Sequence, residues 1–237
     1  MFVLEGARLC AEVFEKYLSG ELRIYAAFAT ETALEKYSRY IPDELTAADI
    51  FFTVSEDAAD SMSETKGSQG VFAIVYSDEK KLEQGDFSCG GKYLVLDNLQ
   101  DPGNVGTILR TADAVGVSGV IMCNNCCELY NPKTIRSAMG SVFRLDIYSA
   151  GTLSDVCGMF KANGIKTCAA VVDRSAVSVT EYDFSGNCAV VIGNEGNGLS
   201  AEDADVCDEK ITIRMQGNIN SLNAAMAGGI ILWEMFR

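Results

Sequence analysis

From Lys92 to the C-terminus the chain alternates short, almost wholly apolar runs with stretches of helical period, and few folds accept that pattern. The runs KYLVLDN, GVIMC, SVFRLDIY, IKTCAAVV, CAVVIGN and KITIRM read as strands with no polar face. A strand that is apolar on both sides must be covered on both sides, which predicts a parallel sheet with helices on each face. One helix is expected over NVGTILRTADAVG, with Val105, Ile108, Leu109, Ala112 and Val115 on its apolar stripe, and others around PKTIRSAM and over TLSDVCGMFKANG, ending at Asn163-Gly164. A last helix is expected from Leu222 to about Phe236, with Asn220 or Ser221 as its N-cap.

Ahead of this region, residues 1–76 read as a smaller mixed unit. A helix in EGARLCAEVFEKYLSG places Ala7, Cys10, Ala11, Phe14 and Leu18 on one side and stops at Gly20. LRIYAAFA, FFTVS and GVFAIVY are strand-like, ETALEKYSRYI is amphipathic, and EDAADSMSET is helical in pattern. Residues 77–91, polar and glycine-rich, are expected to be a linker.

The 237 residues suffice for a large core, and only 3 prolines argue against long disordered segments. No apolar run reaches a membrane span, and the start MFVLEGARLC has no basic, cleavable leader, so a cytoplasmic chain with no membrane partner is expected. The 9 cysteines, at 10, 89, 123, 126, 127, 157, 168, 188 and 207, suit reduced and mostly buried thiols. Only Cys123, Cys126 and Cys127 cluster, and without spaced pairs or histidines they do not make a zinc site, so no metal is expected. With 0 histidines, serine–histidine hydrolysis and an imidazole base are excluded. The net charge of -14 is spread over both parts: residues 1–80 carry 7 basic against 15 acidic side chains, and residues 81–237 carry 12 against 18. Binding to nucleic acid would then need a local basic cleft, because the chain as a whole repels phosphate.

Ligands of parallel sheets sit beyond the carboxyl ends of the strands. Three loops qualify: DNLQDPGNVGTILR, GNEGNGLS at 193–200 and MQGNINSLN at 215–223. None has the glycine spacing of a dinucleotide fingerprint or a P-loop. Glycines in the last two let backbone groups approach a ligand closely, and two such loops so near in sequence suggest one shared pocket.

Together the patterns Asn104-x-Gly106-x-x-x-Arg110, Gly193-Asn-Glu195-Gly-x-Gly198-Leu-Ser and Ile213-x-Met215-x-Gly217-x-x-x-Ser221-Leu222-Asn223 resemble the three ordered motifs of the SpoU (TrmH) RNA 2'-O-ribose methyltransferases. The resemblance covers roughly residues 92–237. It implies an α/β fold of SPOUT type, a parallel sheet with a C-terminal deep trefoil knot, preceded by a small α/β ribosomal-protein-like substrate-binding domain. It implies a homodimer through the knotted domain, S-adenosyl-L-methionine as cofactor, and RNA as substrate, ribosomal RNA ahead of transfer RNA. On this resemblance residues 1–76 recognise RNA, 77–91 link, and 92–237 form the knotted domain. Arg110 would clamp phosphate and orient the 2'-hydroxyl, a guanidinium being a poor proton acceptor. Asn104, Glu195, Ser221 and Asn223 would position the ribose, the loops and the cofactor. Gly193, Asn194, Gly198, Ile213, Met215 and Leu222 would bind the cofactor, the apolar three lining an adenine slot. Two departures stand out: Arg214 occupies a place where the family commonly has proline, and the short basic segment usual before the first Glu-Gly is missing, so a truncated start is expected.

Each of these residues also has an ordinary structural role open to it. Asn104 or Ser221 could cap a helix, Asn223 could be a first-turn residue, Glu195 a turn acid and Arg110 a solvated helix position. Lys133, Arg136 and Arg144 read equally as an RNA-phosphate patch or a solvated face. Two other classes compete with the enzyme: a non-catalytic RNA-binding or ribosome-assembly factor on the same fold, and a different α/β nucleotide-binding enzyme.

Overall fold

In the computed structural model, which describes every residue except 66, 78, 84 and 89, the chain divides into two compact units, Met1–Asp78 and Glu79–Arg237. The first unit holds β1 (Phe2–Glu5), α1 (Ala7–Leu18), β2 (Ile24–Thr30), α2 (Glu31–Lys36), α3 (Asp43–Thr46), β3 (Phe51–Val54), α4 (Glu56–Met62) and β4 (Val71–Val75). Its sheet runs β1-β4-β2-β3, antiparallel except for the β2–β3 pair. Helix α1 stops where Gly20 turns left-handed at φ 80°, as its sequence implies. Its buried residues are Ala7, Cys10, Val13 and Phe14, whereas Leu18 is exposed. The expected stripe is therefore rotated toward Val13, because the short helix need only cover Leu4 and Val71, whose carbonyls accept from the Cys10 thiol.

The second unit continues with β5 (Lys80–Lys81), β6 (Lys92–Asp97), α5 (Pro102–Val115), β7 (Gly119–Cys123), α6 (Pro132–Ala138), β8 (Ile147–Ser149), α7 (Leu153–Ala162), β9 (Lys166–Ala170), β10 (Val177–Ser178), β11 (Cys188–Ile192), α8 (Ala201–Val206), β12 (Glu209–Thr212) and α9 (Ala224–Phe236). Its 8 strands lie in the order β10-β12-β9-β11-β6-β7-β8-β5, every neighbouring pair parallel. This is the α/β parallel sheet that the apolar runs imply. Strands β6 and β11 lie inside the sheet, in register from Lys92 with Cys188 to Leu96 with Ile192, and are buried nearly throughout. Each fully buried aliphatic side chain contributes about 1.5–3 kcal/mol of transfer free energy.

Two expectations fail locally. SVFRLDIY is strand only over Ile147–Ser149; Ser141–Phe143 forms a 3-10 turn, set up by Met139 and Gly140 at φ 51° and 86°. The last helix starts at Ala224, capped by Asn223, and not by Asn220 or Ser221. The cysteines are buried or half-buried free thiols, as expected, and Cys89 lies outside the described residues. Among the described residues no helix is long and apolar enough to cross a membrane.

Candidate active site

The carboxyl ends of β6 and β11 release adjacent loops, and the two loops lock together. After β6 the chain turns at Asn98, left-handed at φ 54°, and enters α5 through Asp101, whose side chain caps the helix by accepting from the Asn104 N–H at 2.9 Å. Asn104 is therefore not the cap, and its amide is released for other work. After β11 the chain bends at Gly193, where an added Cβ would lie 2.6 Å from the Gly198 carbonyl carbon and the Leu199 nitrogen. Only glycine allows residues 193–199 to fold back so tightly. Asn194 staples that loop: its Nδ2 donates to the Asn98 carbonyl at 3.0 Å, and its Oδ1 accepts from the Gly196 N–H at 2.9 Å.

Glu195 is the hub. Its Oε1 accepts from the Asp101 N–H at 2.9 Å and the Asn104 Nδ2 at 3.3 Å, and its Oε2 accepts from the Gln100 N–H at 3.2 Å. Burial pushes this carboxyl up, but the N–H groups of Asp101, Glu195 itself and Gln100, with the Asn104 amide, hold it below the usual carboxylate range. Its stabilising contribution is therefore complete above the ordinary carboxylate value of about 4.3 and disappears as pH falls through the depressed one. The stability gap between wild type and Glu195→Gln in urea unfolding should be constant from about pH 6 to 8 and shrink below about pH 4. A gap that grew on acidification would show that the carboxylate is not the stabilising form.

Asn223 completes the cluster from the third loop. Its Oδ1 caps α9 by accepting from the N–H groups of Ala225 and Met226 at 2.9 and 3.3 Å, and its Nδ2 donates to Asn104 Oδ1 at 2.9 Å. The result is a continuous relay from α9 through Asn223, Asn104 and Glu195 to the backbone at the start of α5. Beneath it Asp97, buried at 4% exposure at the end of β6, accepts from Asn124 Nδ2 and the Cys123 thiol. Burial raises the Asp97 carboxyl, and those hydrogen bonds partly oppose the rise.

Beside the relay lies an apolar cavity of about 80 Å³ lined by Ala170 at the end of β9, Val171 and Val172 after it, Ile211 to Ile213, and Met215, Ser221, Leu222, Ala227 and Ile231. Ile213, Met215 and Leu222 are thus gathered around one slot. Residues 170–172 were not singled out from the sequence, where they fall inside the run IKTCAAVV; the strand ends at Ala170, which leaves Val171 and Val172 at its carboxyl end. Along residues 213–222 no backbone group bonds to another backbone group of the described residues, so these polar groups are available to a ligand.

Two motif residues stay outside the relay. Ser221 is exposed, and its hydroxyl has no partner among the described residues. Arg110 is exposed on α5 and makes no hydrogen bond or ion pair with a described residue. Six positions beyond Asn104, it lies about 9 Å further along the helix axis and on a different face. Of the basic trio, Lys133 pairs with Asp101 at 2.9 Å and Arg144 with Asp113 at 2.8 Å. Gly106 has a packing role: its Cβ would meet Ser137 Cβ and the Thr134 carbonyl at 2.5 Å, and its absence lets α6 lie directly on α5.

Comparison with known proteins places these features in company. The model of the SpoU rRNA Methylase family matches residues 91–233. A 23S rRNA (guanosine(2553)-2'-O)-methyltransferase of Bacillus subtilis is 30% identical over 99% of this chain and 88% of its own length. Among solved structures, the SpoU methyltransferase AviRb from Streptomyces viridochromogenes in complex with AdoMet superposes with a TM-score of 0.85 at 26% identity, covering 99% of this chain and 89% of that one. An AdoMet-bound rRNA methyltransferase from Sinorhizobium meliloti gives 0.82 at 29% identity, over 99% and 86%.

Proposed function

The chain belongs to the SpoU rRNA methylase family, and from that premise we propose that it methylates a ribose 2'-hydroxyl of ribosomal RNA within a homodimer of knotted domains. It is an S-adenosyl-L-methionine-dependent RNA 2'-O-methyltransferase. The observation that carries the reading is the relay joining Glu195, Asn104 and Asn223 from three separate segments of the chain beside one apolar slot.

The residues present fit the cofactor. The slot is apolar, its rim carries backbone groups with no backbone partner among the described residues, and Gly193 lets the second loop fold back on itself. Ile213, Met215 and Leu222 would hold the adenine, with Gly193, Asn194 and Gly198 shaping the neighbouring wall. When bound, the cofactor supplies an activated methyl group on a sulfonium. The chain supplies orientation. Glu195 is a brace and not a base, since its oxygens are occupied and its carboxyl is depressed. With no histidine in the chain, the residues position the hydroxyl and its phosphate instead of ionising it. Arg110, a guanidinium with no partner among the described residues, is the phosphate clamp; Ser221, on the cofactor loop and likewise without a partner among the described residues, orients the ribose.

Two features support the dimer and the knot. Helix α9 is apolar nearly all round yet leaves Met226 and Trp233 at 61% and 66% exposure, a stripe that a second copy would cover. Arg110, absent from its own protomer's relay, would then serve the partner's site. The chain passes from β12, on one side of β9, to α9 against α5 and β11 on the other, a return that supports a threaded path. Residues 1–76 act as the RNA-recognition domain in this reading, in a cytoplasmic enzyme, and of the expected linker 77–91 the stretch Lys80–Lys81 belongs to the second unit's sheet as β5.

Calorimetry with S-adenosyl-L-methionine should show binding to wild type and to Arg110→Ala alike. Tritium transfer into ribosomal RNA should fall about a hundredfold or more in Arg110→Ala. Unchanged transfer would remove Arg110 from the reaction, and absence of cofactor binding in wild type would leave the RNA-binding-factor alternative.

A further inference from the structure

The cofactor loop is anchored in an unusual way. Between Ile213 and Leu222 no backbone–backbone hydrogen bond forms among the described residues, and the side chains of Gln216, Asn218, Asn220 and Ser221 find no partner there. One end is tied by Asn223 to Asn104. The other is tied by Arg214, whose Nη2 and Nη1 donate to the two carboxylate oxygens of Glu181 at 3.2 and 3.5 Å. Glu181 is a firm post. Its own N–H and that of Tyr182 donate to the Ser178 carbonyl at 2.9 and 3.0 Å, the Val179 N–H donates to the Thr212 carbonyl at 2.9 Å, and the Tyr182 ring packs on Phe184 at 4.8 Å. The slot under the loop is about 80 Å³. Sites for ligands of cofactor size are about 300 Å³ or more, so a cofactor needs more room than the slot has with the loop in this position.

We propose that Arg214 and Glu181 form a latch for this loop, acting as positioning residues that set how fast the S-adenosyl-L-methionine site opens and closes. The proposal rests on the cofactor reading above. The pair holds by charge a loop whose backbone from Ile213 to Leu222 has no backbone–backbone hydrogen bond among the described residues. Pairing also has a second effect. Arg214 lies between two residues that line the slot, and the cofactor is itself cationic at sulfur. Glu181 neutralises the guanidinium there, so removing Glu181 both frees the loop and leaves an uncompensated positive charge.

The test is stopped-flow cofactor binding on the full chain at about 0.01 M and about 1 M salt. Glu181→Gln should raise the off-rate about two- to fivefold at low salt, with the difference vanishing at high salt. The double variant Glu181→Gln, Arg214→Gln should bind more tightly than Glu181→Gln alone. The exchanged pair Glu181→Arg, Arg214→Glu should return to within about twofold of wild type, and Arg214→Pro should give an off-rate indifferent to salt. An off-rate in Glu181→Gln equal to wild type at low salt, or an exchanged pair no better than the single variant, overturns the latch. A cofactor-free arm separates this from the cofactor reading: chymotrypsin should cut residues 213–222 faster in Glu181→Gln than in wild type. Faster cutting without any cofactor binding would keep the latch and discard the cofactor; equal cutting with normal binding would do the reverse.

Discussion

Asn223→Asp should leave the protein folded and nearly inactive. The aspartate retains the oxygen that caps α9, and aspartate caps as well as asparagine, so the melting temperature should move by no more than a degree or two. What it loses is the Nδ2 donor to Asn104 Oδ1, and in its place two oxygens confront each other one step from the Glu195 carboxylate. Asn104 must turn away, its amide releases Glu195, and the first loop loses its register with the second. Misplacements of this size cost about a hundredfold in kcat/KM, read by methyl transfer into ribosomal RNA. A variant of full activity would reduce Asn223 to a helix cap. A variant that unfolds would show that the relay carries stability as well as geometry.

Gly106→Ala should destabilise the second unit. In most helices this change stabilises by about 1 kcal/mol, because glycine is the poorer helix former. Here the new methyl would stand 2.5 Å from the Thr134 carbonyl and the Ser137 Cβ and 2.9 Å from the Ala138 nitrogen, two of them backbone atoms of α6 that cannot rotate aside. Separating α5 from α6 should cost about 3 kcal/mol net of the helix gain, or about 6–12 °C in the calorimetric midpoint of the second unit. Because Asp101 caps α5 and Asn104 lies in its first turn, activity should fall in step with the helix displacement. A stabilised variant would mean that α5 and α6 part at no cost.

How much of this was legible beforehand depended on range. Strands β6, β7 and β11 and helix α5 were readable because composition alone fixes a buried strand and a 3.6-residue stripe. The start of α9 was not, since Asn220, Ser221 and Asn223 are all capping residues ahead of the same apolar tail, and contact with Asn104 decides between them. Likewise β1, four residues long, and β10, two residues long, owe their existence to their neighbours and carry no signal of their own. At the site, Asn104, Glu195 and Asn223 were recognisable as members of ordered motifs. Their mutual hydrogen bonds were not, because nothing local says that β11 lies beside β6. Glu181 gave no sign at all: it meets Arg214 only through the pairing of β10 with β12.

That same adjacency shapes how the chain is made. Leu96 emerges early from the ribosome, but its partner Ile192 follows only after nearly a hundred further residues, on the order of 5–20 s at ordinary synthesis rates. During that interval YLVLD has β7 on one side and an open ladder on the other, an apolar edge able to accept any strand that drifts past. Insertion of β11 closes it, and the same event draws Gly193 and Glu195 to Asp101. Completion of the sheet and assembly of the relay are thus one step, and a nascent chain stalled short of β11 is both catalytically blank and prone to pair with its neighbours.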